Sequence, residues 1–331
     1  MEFKDFTAGK DDEGRRFDRL LRRFLPQAAL SNLYKSIRTG LFKLNHKKVS
    51  AETKVKSGDI ISIAAFLLEA PKENKKQNEK NITESDFFSD RMNDRIIFKN
   101  QHLLIFNKPY DMNVHGENSL EQKIKALYKT EINNTSLSFA PGPLHRLDKK
   151  TSGLIAFSWS LEGSKWFSEN IKNHTIKKTY CTIFEGIIHS QTEWLDQIFN
   201  GKTQAENSGF HTVKVINTES AANSLKQKSK QAVTIVTPIK TGIFEGKTVT
   251  FAKVQIKTGR KHQIRAQGAF HGHPLLGDTA YGGTKINSVK RDFFLHASTL
   301  EFPENPVNLP AKIECVLPEE FNEILNAIKK I

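Results

Sequence analysis

The chain has 331 residues, enough for two domains, and its 37% hydrophobic and 9% aromatic content supports a real core. Fifty Lys and Arg against 36 Asp and Glu leave a net charge of +14, which points to a polyanionic partner. No apolar run reaches the roughly 18 residues of a transmembrane helix, and two distant cysteines, Cys181 and Cys315, exclude a disulfide framework and a cysteine-based zinc site. The polar start "MEFKDFTAGKDDEG" is expected to carry no secretory signal, so the expected setting is cytoplasmic, away from membranes, with RNA or DNA as partner.

In chain order, residues 1–64 hold 14 Lys and Arg against eight Asp and Glu. "RFDRLLRRFLP" sets Phe17, Leu20, Leu21, Phe24 and Leu25 on one face of a helix that Pro26 ends. "SNLYKSIRTG" reads as a second helix, with Ser31 as N-cap and Gly40 just past its end. "LFKLNHKKV" alternates around an Asn-His turn as a hairpin does, and "VKSGDIISI" reads as a turn feeding a strand. Arg22, Arg23, Lys35, Arg38, Lys47 and Lys48 belong to successive elements that must pack together, so a gathered RNA-binding face is expected rather than scattered solvated charge. Over most of residues 15–64 the pattern resembles the small RNA-binding domain named after ribosomal protein S-four, the αL motif.

Residues 65–91, including "PKENKKQNEKNITESDFFSD", lack apolar periodicity and read as a mobile linker that leaves the small domain free to reorient. From residue 92 a second domain is expected to run to 331. Strand-like runs "RIIFKN", "LLIFNKP", "LIAFSW", "TYCTIFEG", "AVTIVTPIK" and "TVTFAKVQIKTG" alternate with helical "SLEQKIKALYK", "LEGSKWFSENIKN" and "HQIRAQGAFHG". Many strands follow one another without helical crossovers, so an α+β domain with a mixed, largely antiparallel central sheet is expected. Residues 187–230 read as loop-like.

Five segments carry the chemistry: "NKPYDMNVHG", "LHRLDKKTSGLIAFS", "KKTYCTIFEG", "VQIKTGRKHQIRAQ" and "LHASTLEFP". In this order and spacing they resemble the RluA-type family of RNA pseudouridine synthases over roughly residues 92–320. The resemblance implies that uridine is isomerised to pseudouridine, by Asp148 as the carboxylate acting at ribose C1′. It makes Arg265 the cation beside that aspartate, Tyr180 the base that removes the C5 proton, and Arg146 the side chain that assists base flipping. An ion pair between Arg146 and Asp148 is the structural alternative. His145 is grouped with the substrate side, although its neighbours could equally satisfy it as a structural residue. Lys108, Lys149 and Arg260 are expected phosphate contacts, Gly153 and Gly259 tight-turn residues, and Thr151 and Ser152 local organisers of the loop. His262, His271 and His273 lack the companion ligands of a metal site.

The sequence departs from the family at Gln267, where histidine is usual, and at "YDMN", where a glycine-rich approach is usual; both bear on substrate fit. Together with the N-terminal unit, the resemblance implies large-subunit ribosomal RNA as substrate, with transfer RNA as the alternative. No cofactor, metal or obligate protein partner is implied, and a monomer is expected. A non-catalytic RNA-binding or ribosome-assembly factor is the rival class. A glycoside hydrolase or nucleosidase would want a second carboxylate, and no partner motif for one is found. If the basic unit meets several phosphates, RNA affinity falls steeply as salt rises. Binding titrations across a KCl series check this, and a flat response would remove that unit from the interface.

Overall fold

The computed structural model describes residues 1–25, 28–68, 92–131, 136–137, 139–199, 212–216, 229–286 and 288–331. The N-terminal unit is built from β1 (Phe3–Thr7), α1 (Phe17–Phe24), α2 (Leu30–Thr39), β2 (Phe42–Leu44) and β3 (Ile60–Ala64), with the strands antiparallel in the order β1-β3-β2. Phe17, Leu20 and Leu21 of α1 meet Leu33 and Ile37 of α2 over Phe42, Ile61 and Ile63, closing a small apolar core. Asn45 (φ 49°) and His46 (φ 62°) both adopt the left-handed conformation, and the flanking Leu44 and Lys47 exchange backbone hydrogen bonds of 2.9 and 3.0 Å. A two-residue turn of this hand matches strand twist. Gly40 closes α2 at φ 80°, with Leu41 N–H donating to Ser36 O, a Schellman ending. Ser31 does not cap: Ala29 occupies the N-cap position, and Ser31 lies inside the first turn.

Arg22, Arg23, Lys35, Arg38, Lys47 and Lys48 are all exposed, and among the described residues none of them forms an ion pair. Ala65–Leu67 forms one further 3-10 turn, and Leu67 and Leu68 pack on the small core. The rest of the expected linker, residues 69–91, lies outside the described residues. Contrary to free reorientation, the small unit is tied to the remainder. Buried Asp12 accepts from Ser136 Oγ (2.8 Å) and Leu137 N (2.7 Å), Asp11 accepts from Leu161 N (3.1 Å), and Leu137 packs into the small core.

The large unit is one mixed sheet. It comprises β4 (Ile96–Lys99), β5 (Leu103–Lys108), β6 (Ser152–Ser158), β7 (Lys177–Glu185), β8 (Thr192–Phe199), β9 (Lys214–Ile216), β10 (Ser229–Phe244), β11 (Lys247–Ile256), β12 (Leu295–Glu301) and β13 (Lys312–Glu314). Their order is β4-β5-β6-β12-β7-β11-β10-β8-β9, with β13 on β12; only the β6–β12 pairing is parallel. The α+β expectation therefore holds, with α3 (Leu120–Glu131), α4 (Leu161–Lys172), α5 (Gln263–Phe270) and α6 (Glu319–Ala327) among the strands. The loop-like reading of 187–230 fails at β8 and β9. There Glu193 and Leu195 face outward while Trp194 is buried, too mixed a pattern to announce a strand. Residues 200–211 and 217–228 of that stretch lie outside the described residues.

One local feature positions the site. Residues 142–144 run back antiparallel along the end of β6: Leu144 N donates to Ala156 O (2.8 Å) and Ser158 N to Gly142 O (2.9 Å). Residues 145–151 therefore form the tip of a wide hairpin, and Leu147 anchors that tip in the main core. Gly153, at φ 108°, lets β6 touch β12: a Cβ there would lie 2.7 Å from Ala297 N and closer still to its carbonyl oxygen. Gly153→Ala should cost at least about 3 kcal/mol through backbone strain and overpacking, read as a fall in melting temperature.

Candidate active site

The hairpin tip, β7 and the loop leading into α5 enclose a cavity of about 460 Å³. Among the described residues, seven Lys and Arg line it against a single carboxylate, Asp148. That balance suits a polyanionic substrate. The tip is held from behind by Lys108, which is fully buried; its Nζ donates to the carbonyls of Pro109 (3.0 Å), Met112 (2.9 Å) and Lys149 (2.9 Å). Lys108 is therefore a bolt for the loop rather than the phosphate contact its charge suggested. Burial pulls its pKa down to about 7, while Asp148 and Asp111 act the other way. Three carbonyl acceptors require three N–H groups, so the bolt is complete only as an ammonium.

The "YDMN" departure belongs to the same bracing. Asp111 pairs with Lys150 (2.9 Å) and Lys149 (3.4 Å), Lys150 also reaches Asp292 (3.2 Å), and Tyr110 Oη accepts from Asp292 N (2.7 Å). His145 is half-buried, stacks on Phe167 and accepts from Ala156 N (3.0 Å); desolvation of its ring drives its pKa down to about 3, so it is a neutral structural residue on the cavity wall. Thr151 contributes its backbone N–H to Asp148 O (3.0 Å), but its hydroxyl has no partner among the described residues. Ser152 reaches across to His296 (2.9 Å) rather than organising the loop locally. Arg146 is exposed at the cavity and makes no ion pair with Asp148 among the described residues, so the structural alternative for it is absent. Gly259 does not need a left-handed turn, and Arg260, half-buried on the cavity wall, donates to Gln231 O (2.9 Å).

Arg265 projects from the first turn of α5. Its Nε and Nη2 engage Asp278 at 2.6 and 2.8 Å, a bidentate buried pair, and its Cζ lies over the rings of Phe293 (4.3 Å) and Tyr281 (4.8 Å). Its remaining Nη1 stands 3.9 Å from Asp148 Oδ2. His262 Nε2 stands 3.8 Å from Asp148 Oδ1, while its Nδ1 meets Tyr281 Oη at 2.9 Å; burial lowers its pKa to about 4. Since Tyr281 Oη accepts from Val213 N, its own proton is available to Nδ1, which leaves the imidazole proton on Nε2, facing Asp148. Neither 3.8 nor 3.9 Å is a hydrogen bond. Asp148 thus lies beside a positive charge without being tied to it.

Tyr180 lies buried on β7 between Val254 of β11 and Ala297 of β12, and burial together with the Asp148 charge pushes its phenol pKa up. The sequence reading missed Asp278, Tyr281, His262 as a neighbour of Asp148, and Lys178; the first two lie beyond the quoted motifs. Lys178 sits two residues before Tyr180 and lines the same cavity. Gln267 is buried and lies outside the lining. It accepts from Thr234 Oγ1 (2.6 Å) and donates to Asp196 (2.6 Å), so it joins α5 to β8 and β10. His271 pairs with Asp196 and stacks on Trp194, and His273 meets Glu185 O.

Residues 102–269 match the family model described as RNA pseudouridylate synthase. The chain belongs to that family, whose members isomerise uridine in RNA. It is 26% identical over 329 residues to a ribosomal large subunit pseudouridine synthase C of Vibrio vulnificus, covering 97% of this chain and 95% of the relative. It is 29% identical over 244 residues to a tRNA pseudouridine synthase C of Vibrio cholerae, covering 70% of this chain and 94% of that protein. The solved structure of human RNA Pseudouridylate Synthase Domain Containing 4 shares the fold at a TM-score of 0.57 and 19% identity, covering 74% of this chain and 97% of that one.

His145, His262 and His296 have folded-state pKa values of about 3, 4 and 4, each lowered first by burial. Below about pH 6.5 the unfolded chain binds protons at these sites that the folded chain refuses. Stability is therefore full above that pH and lost as pH falls toward 4, by about 2 kcal/mol per histidine at pH 5. Melting curves at pH 7.5, 6 and 5 should show the decline, and a flat series would mean these rings are not held neutral.

Proposed function

We propose that this chain is a pseudouridine synthase acting on large-subunit ribosomal RNA, with an RNA-binding unit over residues 1–64 and a catalytic domain over 92–331. The observation that carries the reading is the setting of Asp148: among the described residues the sole carboxylate lining a cationic cavity, charge-compensated by Arg265 yet unbonded to it. Asp278 takes Nε and Nη2 of Arg265, so the guanidinium lends charge to Asp148 without capping the lone pairs a nucleophile needs. Exposed Arg146 fits the task of filling the stack when the uridine is extruded. The choice of ribosomal RNA is supported by coverage. The transfer-RNA relative has no counterpart to nearly a third of this chain, whereas the large-subunit relative spans almost all of it.

In this reading Asp148 adds to C1′ as the bond to N1 breaks, the base turns, and C5 attacks C1′ to release the carboxylate. Tyr180 enters as a phenol, because burial and Asp148 disfavour its anion. It therefore takes the C5 proton as part of a relay, its own proton passing to the freed Asp148 carboxylate, which releases it to solvent as N1 gains a proton from water. Isomerisation conserves atoms and redox state, so the chemistry calls for no cofactor.

Tritium release from RNA labelled at uridine C5 tests this. Wild-type protein should release label from large-subunit ribosomal RNA, and Asp148→Ala should abolish release while RNA binding persists. Tyr180→Phe should slow release about 10²–10⁴-fold. Release only from transfer RNA would move the substrate, and silence on both would favour a non-catalytic RNA-binding factor.

A further inference from the structure

We propose that Lys178 is a catalytic group of this reaction: its ammonium stabilises the negative charge that passes onto the uracil carbonyl oxygens when the glycosidic bond breaks. The inference rests on the uridine-isomerising reading of the cavity and assigns the one component that reading leaves open, the stabilisation of the departing base.

Lys178 is 9% exposed and lines the cavity, and among the described residues its Nζ has neither a hydrogen bond nor an ion pair, opening instead onto the cavity. Lys108, the other buried lysine of the site, meets three carbonyls, so an unpaired ammonium is not the rule here. A buried charge without a partner is costly and is retained where something else supplies the partner. Burial lowers its pKa, and among the described residues no carboxylate opposes that shift. The strand places it: Lys178 and Tyr180 are two apart on β7 and point to the same face. Its Nζ lies under Gly259, where a Cβ would stand 3.4 Å away.

The substrate phosphates have other candidates. Arg146, Lys172 and Lys257 line the cavity and are exposed, whereas a buried cation on the wall beside Tyr180 can meet only the group that enters deepest, the flipped base. As Asp148 Oδ bonds to C1′, the C1′–N1 electron pair passes to the base and spreads over N1, O2 and O4. Lys178 donates a hydrogen bond to a carbonyl oxygen, keeping its proton, and loses that contact's strength when C5 returns the pair to C1′. The group acts as an oxyanion donor does, with its benefit concentrated where charge develops.

Lys178→Met and Lys178→Arg, compared with wild type in single-turnover conversion of uridine-containing RNA, test the assignment. Lys178→Met should lose about 10²–10³ in rate at saturating RNA with KM within about threefold, and Lys178→Arg should recover part of the loss. Its melting temperature should hold or rise, since an unpaired buried charge is removed. RNA carrying 5-fluorouridine, whose electron-poor base departs more readily, should show a loss at least about tenfold smaller, followed as nucleotide consumption by mass spectrometry. Equal losses on both RNAs would overturn the assignment. So would an unchanged rate with raised KM and a shallower salt slope, which marks a phosphate contact, or a lowered melting temperature accompanying the loss, which marks a structural lysine. Wild-type protein inert on every RNA would instead bring down the reading of the site itself.

Discussion

Arg265 is the residue on which the site depends, because it serves two aspartates unequally. Its bidentate pair with Asp278 is buried and short, and its third donor faces Asp148 from 3.9 Å. A guanidinium offers its donors in a rigid planar fork, so engaging one edge fixes the direction of the other. The aromatic rings of Tyr281 and Phe293 packed against it leave it little freedom to turn. Asp278 thus holds the arginine, and the arginine places charge beside Asp148 without consuming it. A lysine could match the charge but not this division of labour.

The same principle of holding from behind runs through the hairpin tip. Lys108 gathers three carbonyls, Asp111 takes Lys149 and Lys150, and His145 accepts the Ala156 amide. None of these bonds uses the carboxylate of Asp148, so the tip is braced through other groups while that carboxylate is left open at its oxygens. Gly153 completes the arrangement by letting the hairpin rejoin the sheet at β12 without a side chain between them. The small N-terminal unit stands in a similar relation to the whole. Buried Asp12 binds Ser136 and Leu137, while six exposed cations face outward.

Two lysines show where reading residues in order reaches its limit. Lys108 and Lys178 look alike in sequence, each near an apolar strand and a motif. The first is spent on backbone carbonyls and the second faces the cavity unpaired. Gln267 is a departure inside a motif that suggests altered substrate fit, and order alone does not show that its amide joins α5 to β8 and β10. Trp194 and its strand escaped notice because half-buried alternation at a sheet edge is interrupted by Asp196 and Gln197, which serve contacts of their own.

The sequence by itself determined the family and the class of fold. The motifs carry a family resemblance that points to Asp148, Tyr180 and Arg265, and strand periodicity marked most of the sheet, because those signals depend on residues close together in the chain. Only the tertiary structure decided which charges are compensated and which are open. Asp278 meets Arg265 from thirteen residues away and Lys108 reaches a carbonyl forty-one residues away. What a buried charge does is set by the groups packed around it, and those are brought together by the sheet order, which the linear pattern does not encode.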